Sequence, residues 1–317
     1  MPVVTKKKPG FNYYLHLPRE LRFMVIDEME PVDKCKFSQS ARLCYAETKA
    51  SRSYLYALEV SGDRLGTVVV IDVKFDKDQG FHLLFNDDDG NKSVECMTLQ
   101  NETKWISNLD KTVDLVEHAM THFKNLLGCY QNTIKSLKIS GELFSHKLVD
   151  FDFGVRSFTN LDELILDEAI YVQQLLSKVR KPLKKLEVFG EIGKEVLESC
   201  EQIYRVEDCL HLPNTQFTAK QFFELPASCI SIPIGELTAE HIVNIIKSWQ
   251  NDTSGKEIRC YEWRYMQDSH YRGLVEAISP NIGETDVWFQ HHDFLENGEH
   301  ACLYYKDYTS LVFKTNP

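Results

Sequence analysis

The chain has 317 residues, 43% hydrophobic and 26% charged, with a formal net charge of −11. That is the composition of a globular protein long enough for two domains, or for one domain and a repeat array. No apolar run approaches the ~20 residues of a membrane-spanning helix, and the only run of three consecutive basic residues is Lys6–Lys8, in a chain of net charge −11 that offers a phosphate backbone little surface. Neither a membrane nor a nucleic acid is expected as a partner.

The first ten residues, MPVVTKKKPG, are basic with no apolar stretch behind them. They read as a disordered tail rather than a secretory signal. The next segment is helical and unusually apolar. Pro18 suits a helix start and Glu20 its first turn, and Leu21, Val25 and Met29 recur at helical spacing. Phe23, Met24 and Ile26 widen that stripe around the helix. Pro31 ends the helix, Asp33 can cap a second short one through Cys35 and Phe37, and Leu43–Tyr56 still reads helical. Two short helices cannot hide that much hydrocarbon in each other, so either the rest of the chain or another protein covers it.

The period then changes. Thr67–Phe75 is β-branched and strand-like, and Gly80–Phe85 and Ser93–Leu99 flank NDDDGNK, where Asp89-Gly90 signals a hairpin. An EF-hand reading of that acidic turn fails, because Phe85 and Cys96 would stand at ligand positions. Leu109–Leu127 makes an amphipathic helix through Val113, Val116, Met120, Phe123 and Leu127. Beyond it the chain repeats. IKSLKI (Ile134–Ile139), LDELIL (Leu161–Leu166) and LKKLEV (Leu183–Val188) fit LxxLxL; IRCYEW (Ile258–Trp263) fits with aromatics, and VEDCLHL (Val206–Leu212) and CISIPI (Cys229–Ile234) fit loosely. Anchored at Leu137, Leu164, Leu186, Leu210, Ile230 and Tyr261, the intervals lie near the ~20–29 residues of leucine-rich repeats, only the last being longer. Helical patterns over Ile170–Val179, Ile192–Tyr204 and Thr238–Trp249 fill several gaps. Strand–helix units at this spacing stack into a solenoid, since none can bury its own apolar face; a conventional α/β sheet is the alternative.

Motifs that would carry chemistry fail on spacing. GEIGKE (Gly190–Glu195) lacks the phosphate-loop pattern and reads as a strand-to-helix turn. His118 and His122 stand at i, i+4, but Ala119 occupies the place of a general base and no third ligand is near in sequence. His291, His292 and Asp293 are adjacent, and neighbours in a strand point to opposite faces. No catalytic residue, metal or cofactor is therefore expected. The nine cysteines are scattered with no CxxC, the usage of a reducing compartment, cytosolic or nuclear. In each LxxLxL strand the residues flanking the central anchor point away from the core. This nominates Ser136, Lys138, Glu163, Ile165, Lys185, Glu187, Cys209, His211, Cys260 and Glu262 as an outward face of mixed charge. Such a face suits a protein or peptide partner, with Lys138, Glu163, Ile165, Lys185, Glu187, His211 and Glu262 as its contact residues.

The segment LPRELRFMVIDEMEPVDKCKFSQSARLC resembles an F-box, in which Leu17, Pro18 and Glu20 match the opening, Leu21, Val25 and Met29 the first helix, Pro31 and Asp33 the break, and Phe37, Ser38, Leu43 and Cys44 the later helices. Leu237–Trp263 is similar to the F-box-associated regions of the expanded nematode-type F-box families. The resemblance implies a non-catalytic substrate-recognition subunit of an SCF-type ubiquitin ligase. Leu17, Pro18, Glu20, Leu21, Met24, Val25, Met29, Pro31, Phe37 and Leu43 would then dock on a Skp-type adaptor, and through it on cullin and a RING protein, while the remainder holds a protein substrate. The expected fold is α/β: a tail over residues 1–10, a three-helix F-box-like unit over 11–55, a β-hairpin region over 56–108 and an irregular leucine-rich-repeat-like α/β solenoid over 109–317. Two competing readings are an interaction protein that recruits no ligase, and an enzyme centred on His291–Asp293.

Overall fold

The computed structural model describes residues 14, 16–40, 42–50, 54–76, 78–250, 258–264, 292–296, 299–306 and 310–315. It is a mixed α/β fold in which strands from both halves of the chain form one 14-stranded sheet. Among the described residues no helix is long and apolar enough to cross a membrane. The basic tail 1–10 and His291 lie outside the described residues.

Three short helices open the chain: α1 (Arg19–Asp27), α2 (Pro31–Ser40) and α3 (Arg42–Ala50). They enclose a small core of Tyr14, Ile26 and Phe37, with Leu17, Phe23, Met29 and Cys44 packed against it. Arg22 on α1 reaches Glu47 on α3 (Nε–Oε1 2.8 Å), and the Tyr14 hydroxyl donates to the other oxygen of the same carboxylate at 2.5 Å. The helical stretch is shorter than its apolar pattern suggested. α3 ends at Ala50, and Tyr54–Tyr56 leads extended into the first strand.

That strand, β1 (Ala57–Gly62), begins an antiparallel meander with β2 (Val68–Lys74), β3 (Gly80–Asp88), β4 (Asn91–Thr98) and β5 (Thr103–Asn108). Strict alternation puts Val69, Ile71 and Val73, Phe81, Leu83 and Phe85, and Val94 and Cys96 on one buried face. The hairpin at Asp89-Gly90 follows from backbone sterics. Both residues have positive φ (49° and 83°), as a two-residue type I′ turn requires, and the Gly90 N–H donates to Asp87 Oδ1 at 2.9 Å. Helix α4 (Leu115–Tyr130), capped by Asp114 through the Glu117 N–H at 2.9 Å, covers the buried face with Met120, Phe123 and Leu127. Its start at Leu115 leaves Val113 outside the helix that the periodicity had begun at Leu109. The three-helix unit docks beside this meander: Val32 joins the main core, Lys34 lies over Phe75 (5.9 Å) and Lys36 over Trp105 (5.4 Å).

The repeated segments form a parallel ladder: β6 (Ser136–Ser140), β7 (Glu163–Leu166), β8 (Lys185–Val188), β9 (Cys209–His211), β10 (Cys229–Pro233) and β11 (Cys260–Arg264). All six anchors stand at one register, Leu137 opposite Leu164, then Leu186, Leu210, Ile230 and Tyr261, and all are buried. Short helices connect the strands: α5 (Leu143–His146), α6 (Val172–Leu176), α7 (Lys194–Ser199), α8 (Ala219–Glu224) and α9 (Ala239–Gln250). Helix α8 opens on a capping box between Thr218 and Gln221. Three further strands, β12 (His292–Glu296), β13 (Glu299–Lys306) and β14 (Ser310–Thr315), return antiparallel onto β11.

Candidate functional site

Two surfaces concentrate the residues singled out by the sequence. The first is α1. Ile26 is fully buried, whereas Leu21, Met24 and Val25 are 45%, 62% and 38% exposed. The three exposed residues follow i, i+3, i+4 spacing and so share a face, continued by exposed Pro18 and Glu20. Leu43 on α3 is also exposed. Pro18 precedes the helix as its N-cap rather than forming its first residue, a one-position shift that leaves its ring outward. Phe37 belongs inside. It packs edge-on against Tyr14 (5.1 Å between ring centres) and is 7% exposed, so its expected place in a docking surface is corrected to a place in the unit's own core. Leu17 and Met29 are partly buried against the same core. Pro31 is the first residue of α2, and its side chain lies outside the described residues.

The second surface is the sheet face opposite the buried anchors. One register runs across it from His82 and Asp72 through Glu59, Lys138, Ile165, Glu187 and His211 to Ser231 and Glu262. Its charges are largely matched to one another. Lys138 Nζ lies 2.6 Å from Glu59 and Lys185 Nζ 3.1 Å from Glu187, Asp72 holds His82, and Ser231 Oγ donates to Glu262 at 2.9 Å. The hydrogen bond to Glu59 raises the pKa of Lys138. Burial opposes the charged form of Lys185, but the hydrogen bond to Glu187 leaves its pKa raised. The expected outward face of mixed charge is thus mostly a set of internal pairs. His211, its pKa lowered by burial, meets the ring of Phe189 edge-on at 5.4 Å.

An open cleft of ≈ 630 Å³ lies where β1, β6, β7 and β8 end, lined by Ser61, Lys138, Ile165, Asp167, Glu187 and Phe189. Asp167 accepts the Gly141 N–H at 2.8 Å, fixing the loop after β6. Gly141 itself has φ +97°, and a Cβ there would meet the Gly62 carbonyl oxygen at 2.3 Å. Sequence reasoning placed Ile165, Lys138 and Glu187 on this face but missed Glu59, Ser61, Asp167 and Phe189. The signal for the first two was the alternation in Ala57–Gly62; the others sit just past strand ends, where LxxLxL patterning stops.

The histidine pair has a structural setting. His118 and His122 face each other (4.8 Å) beneath Phe85, and burial, with the charge of His118, pushes His122 down to about 4. Among the described residues no group of three or more His, Cys, Asp and Glu side chains could hold a metal ion. Gly190–Glu195 turns from β8 into α7, with Gly193 at the N-cap. The side chains of His292 and Asp293 lie outside the described residues. No protein-family model, curated protein or solved structure matches the chain.

Proposed function

We propose that this chain is the substrate-recognition subunit of an SCF-type ubiquitin ligase, acting in the cytosol or nucleus. The exposed face of α1, with Pro18, Glu20, Leu21, Met24, Val25 and Leu43, docks on a Skp-type adaptor. The parallel ladder, an irregular leucine-rich-repeat-like solenoid, holds a protein substrate at the cleft beside Ile165. The observation that carries this reading is the split of α1. Its helix buries Ile26 in a three-helix core while leaving Leu21, Met24 and Val25 bare, although the main core of the chain lies close enough to take Val32 from the next helix. Exposed apolar surface of this kind marks partner sites.

The test is co-purification of the full chain with a Skp-type adaptor and cullin, beside the Leu21→Asp and Val25→Asp variants. Both variants are expected to fold and to lose the adaptor, because an unpaired charge in a dry interface costs several kcal/mol. Retention by both variants overturns the assignment of this face. Failure of the unmodified chain to bind favours the competing reading, an interaction protein whose helices merely cap its own sheet.

A further inference from the structure

Cys209, Cys229 and Cys260 stand side by side on three neighbouring parallel strands. Cys209 is opposite Cys229, and Cys229 is opposite Cys260. Each precedes a buried anchor (Leu210, Ile230, Tyr261), so the three thiols share the open face, where they are partly exposed and joined by no disulfide. The register continues to Lys185 on one side and Lys314 on the other, giving a row of cation, three thiols and cation. Arg259 cinches the strand starts: its Nε donates to Ser228 Oγ at 2.7 Å and its guanidinium pairs with Asp208 at 3.1 Å. One row further on, Ser231 reaches Glu262 across the same two strands, so side chains at one register on this face do meet.

The spacing selects the chemistry. Neighbouring strands lie ~4.8 Å apart, and in-register parallel neighbours keep their Cβ atoms about that far apart. A disulfide wants Cβ atoms ~3.8 Å apart, so closing one would pinch the sheet. Two metal–thiolate bonds of ~2.3 Å laid end to end span ~4.6 Å, close to the strand spacing. A row of thiols cannot converge on one point as a tetrahedral zinc site must, but two neighbours can hold an ion between them. Thiolates select soft ions, Cu(I) foremost.

We propose that Cys229, with Cys209 or Cys260 as its second ligand, forms a linear two-thiolate site for a thiophilic monovalent d10 cation of the Cu(I) type. Binding replaces two S–H protons: two R–SH and Cu(I) give [RS–Cu–SR]⁻ and two H⁺, with copper unchanged in oxidation state. Lys314 stands at one end of the row, and Lys185, already paired with Glu187, at the other.

The experiment titrates the reduced full-length chain without oxygen against Cu(I) held by bicinchoninate, whose loss of colour counts the ions withdrawn. Cys229→Ser is expected to withdraw one ion fewer per chain. Cys209→Ser and Cys260→Ser, each leaving an intact pair, are expected to match the unmodified chain, and their combination to behave like Cys229→Ser. Circular dichroism reports folding, and Cys229→Ala replaces the serine variant if that one does not fold. X-ray absorption of the bound copper is expected to show two sulfur neighbours. Unchanged stoichiometry in a folded Cys229 variant, or a copper shell of nitrogen and oxygen, overturns the site. So does a Cys209–Cys229 disulfide formed in high yield by dilute peroxide, because it would show that the strands close to disulfide distance.

Discussion

Leu58 of β1 lies directly opposite Leu137 of β6, both with no exposed surface. This parallel pair joins the meander of the first half to the ladder of the second, so their apolar faces form one continuous core. Leu58→Ala is therefore expected to destabilise the whole sheet, by ~2–5 kcal/mol for a leucine truncated in a close-packed interior. Denaturant unfolding curves of variants that keep only one of the four tryptophans, Trp105 on β5 or Trp263 on β11, should shift together. A shift at Trp105 with Trp263 unchanged would mean that the two halves unfold separately.

Gly141 is expected to tolerate no side chain. Its φ of +97° and the 2.3 Å approach to the Gly62 carbonyl oxygen put both backbone strain and a backbone clash in the way of a Cβ. Gly141→Ala should lower stability by more than ~1 kcal/mol, where an unstrained glycine-to-alanine replacement would raise it, and disturb the cleft that its loop borders. Equal stability of variant and parent in chemical denaturation would mean the β6 loop relaxes freely.

The proposed function divides the helical unit into structural residues and docking residues. Phe37→Ala removes a core ring and should destabilise by about 3–5 kcal/mol, losing the adaptor only as the unit unfolds. Met24→Asp changes a residue that is 62% exposed; its melting temperature should stay close to the parent's while adaptor binding falls. The reverse outcome, a stable Phe37→Ala chain that cannot bind, would return Phe37 to the interface.

His122 gives the fold a pH dependence of definite sign. Its pKa in the folded protein is lowered to about 4 by burial and by His118, against ~6.5 in an unfolded chain. Between those values the unfolded state binds the extra proton, so stability is full above pH ~6.5 and falls as the pH drops toward ~4. His122→Phe should flatten that decline in urea unfolding midpoints between pH 7 and 4. An unchanged slope would assign the decline to other groups.

Apolar spacing carried much of this fold in the sequence. The six anchors from Leu137 to Tyr261 were legible because each had to be buried, and burial in a strand writes a two-residue period. The register that lines them up was not, since the connections differ in length and only pairing reveals which residues face each other. For the same reason Cys229 carried no signal as the centre of a thiol row. β1 was missed because its run, Ala57–Gly62, follows helical spacing without a break, and β5 because Thr103–Asn108 is almost wholly exposed and shows no apolar alternation. The misplacement of Phe37 has a similar cause: an apolar residue on a short helix announces burial, but not by whom.

Under the proposed function, the open face would hold the substrate. Lys138 and Lys185 are engaged by Glu59 and Glu187, so a partner reading those charges must first break exposed pairs worth ~0–1 kcal/mol each. The cleft offers Ile165 and Phe189, the latter 42% exposed, as apolar anchors that need no such exchange, and buried apolar contacts dominate interface energies. Ile165→Asp is accordingly expected to abolish substrate capture, while reversing Lys138, Glu163, Lys185 and Glu187 together should weaken it only modestly. Both variants should bind the Skp-type adaptor as the parent does, because α1 is untouched. The measurement is recovery of ubiquitinated or adaptor-bound substrate by mass spectrometry from cells expressing each variant. Capture that survives Ile165→Asp but is lost on charge reversal would make the ion pairs the contact points. Capture indifferent to both would move the substrate off this face altogether.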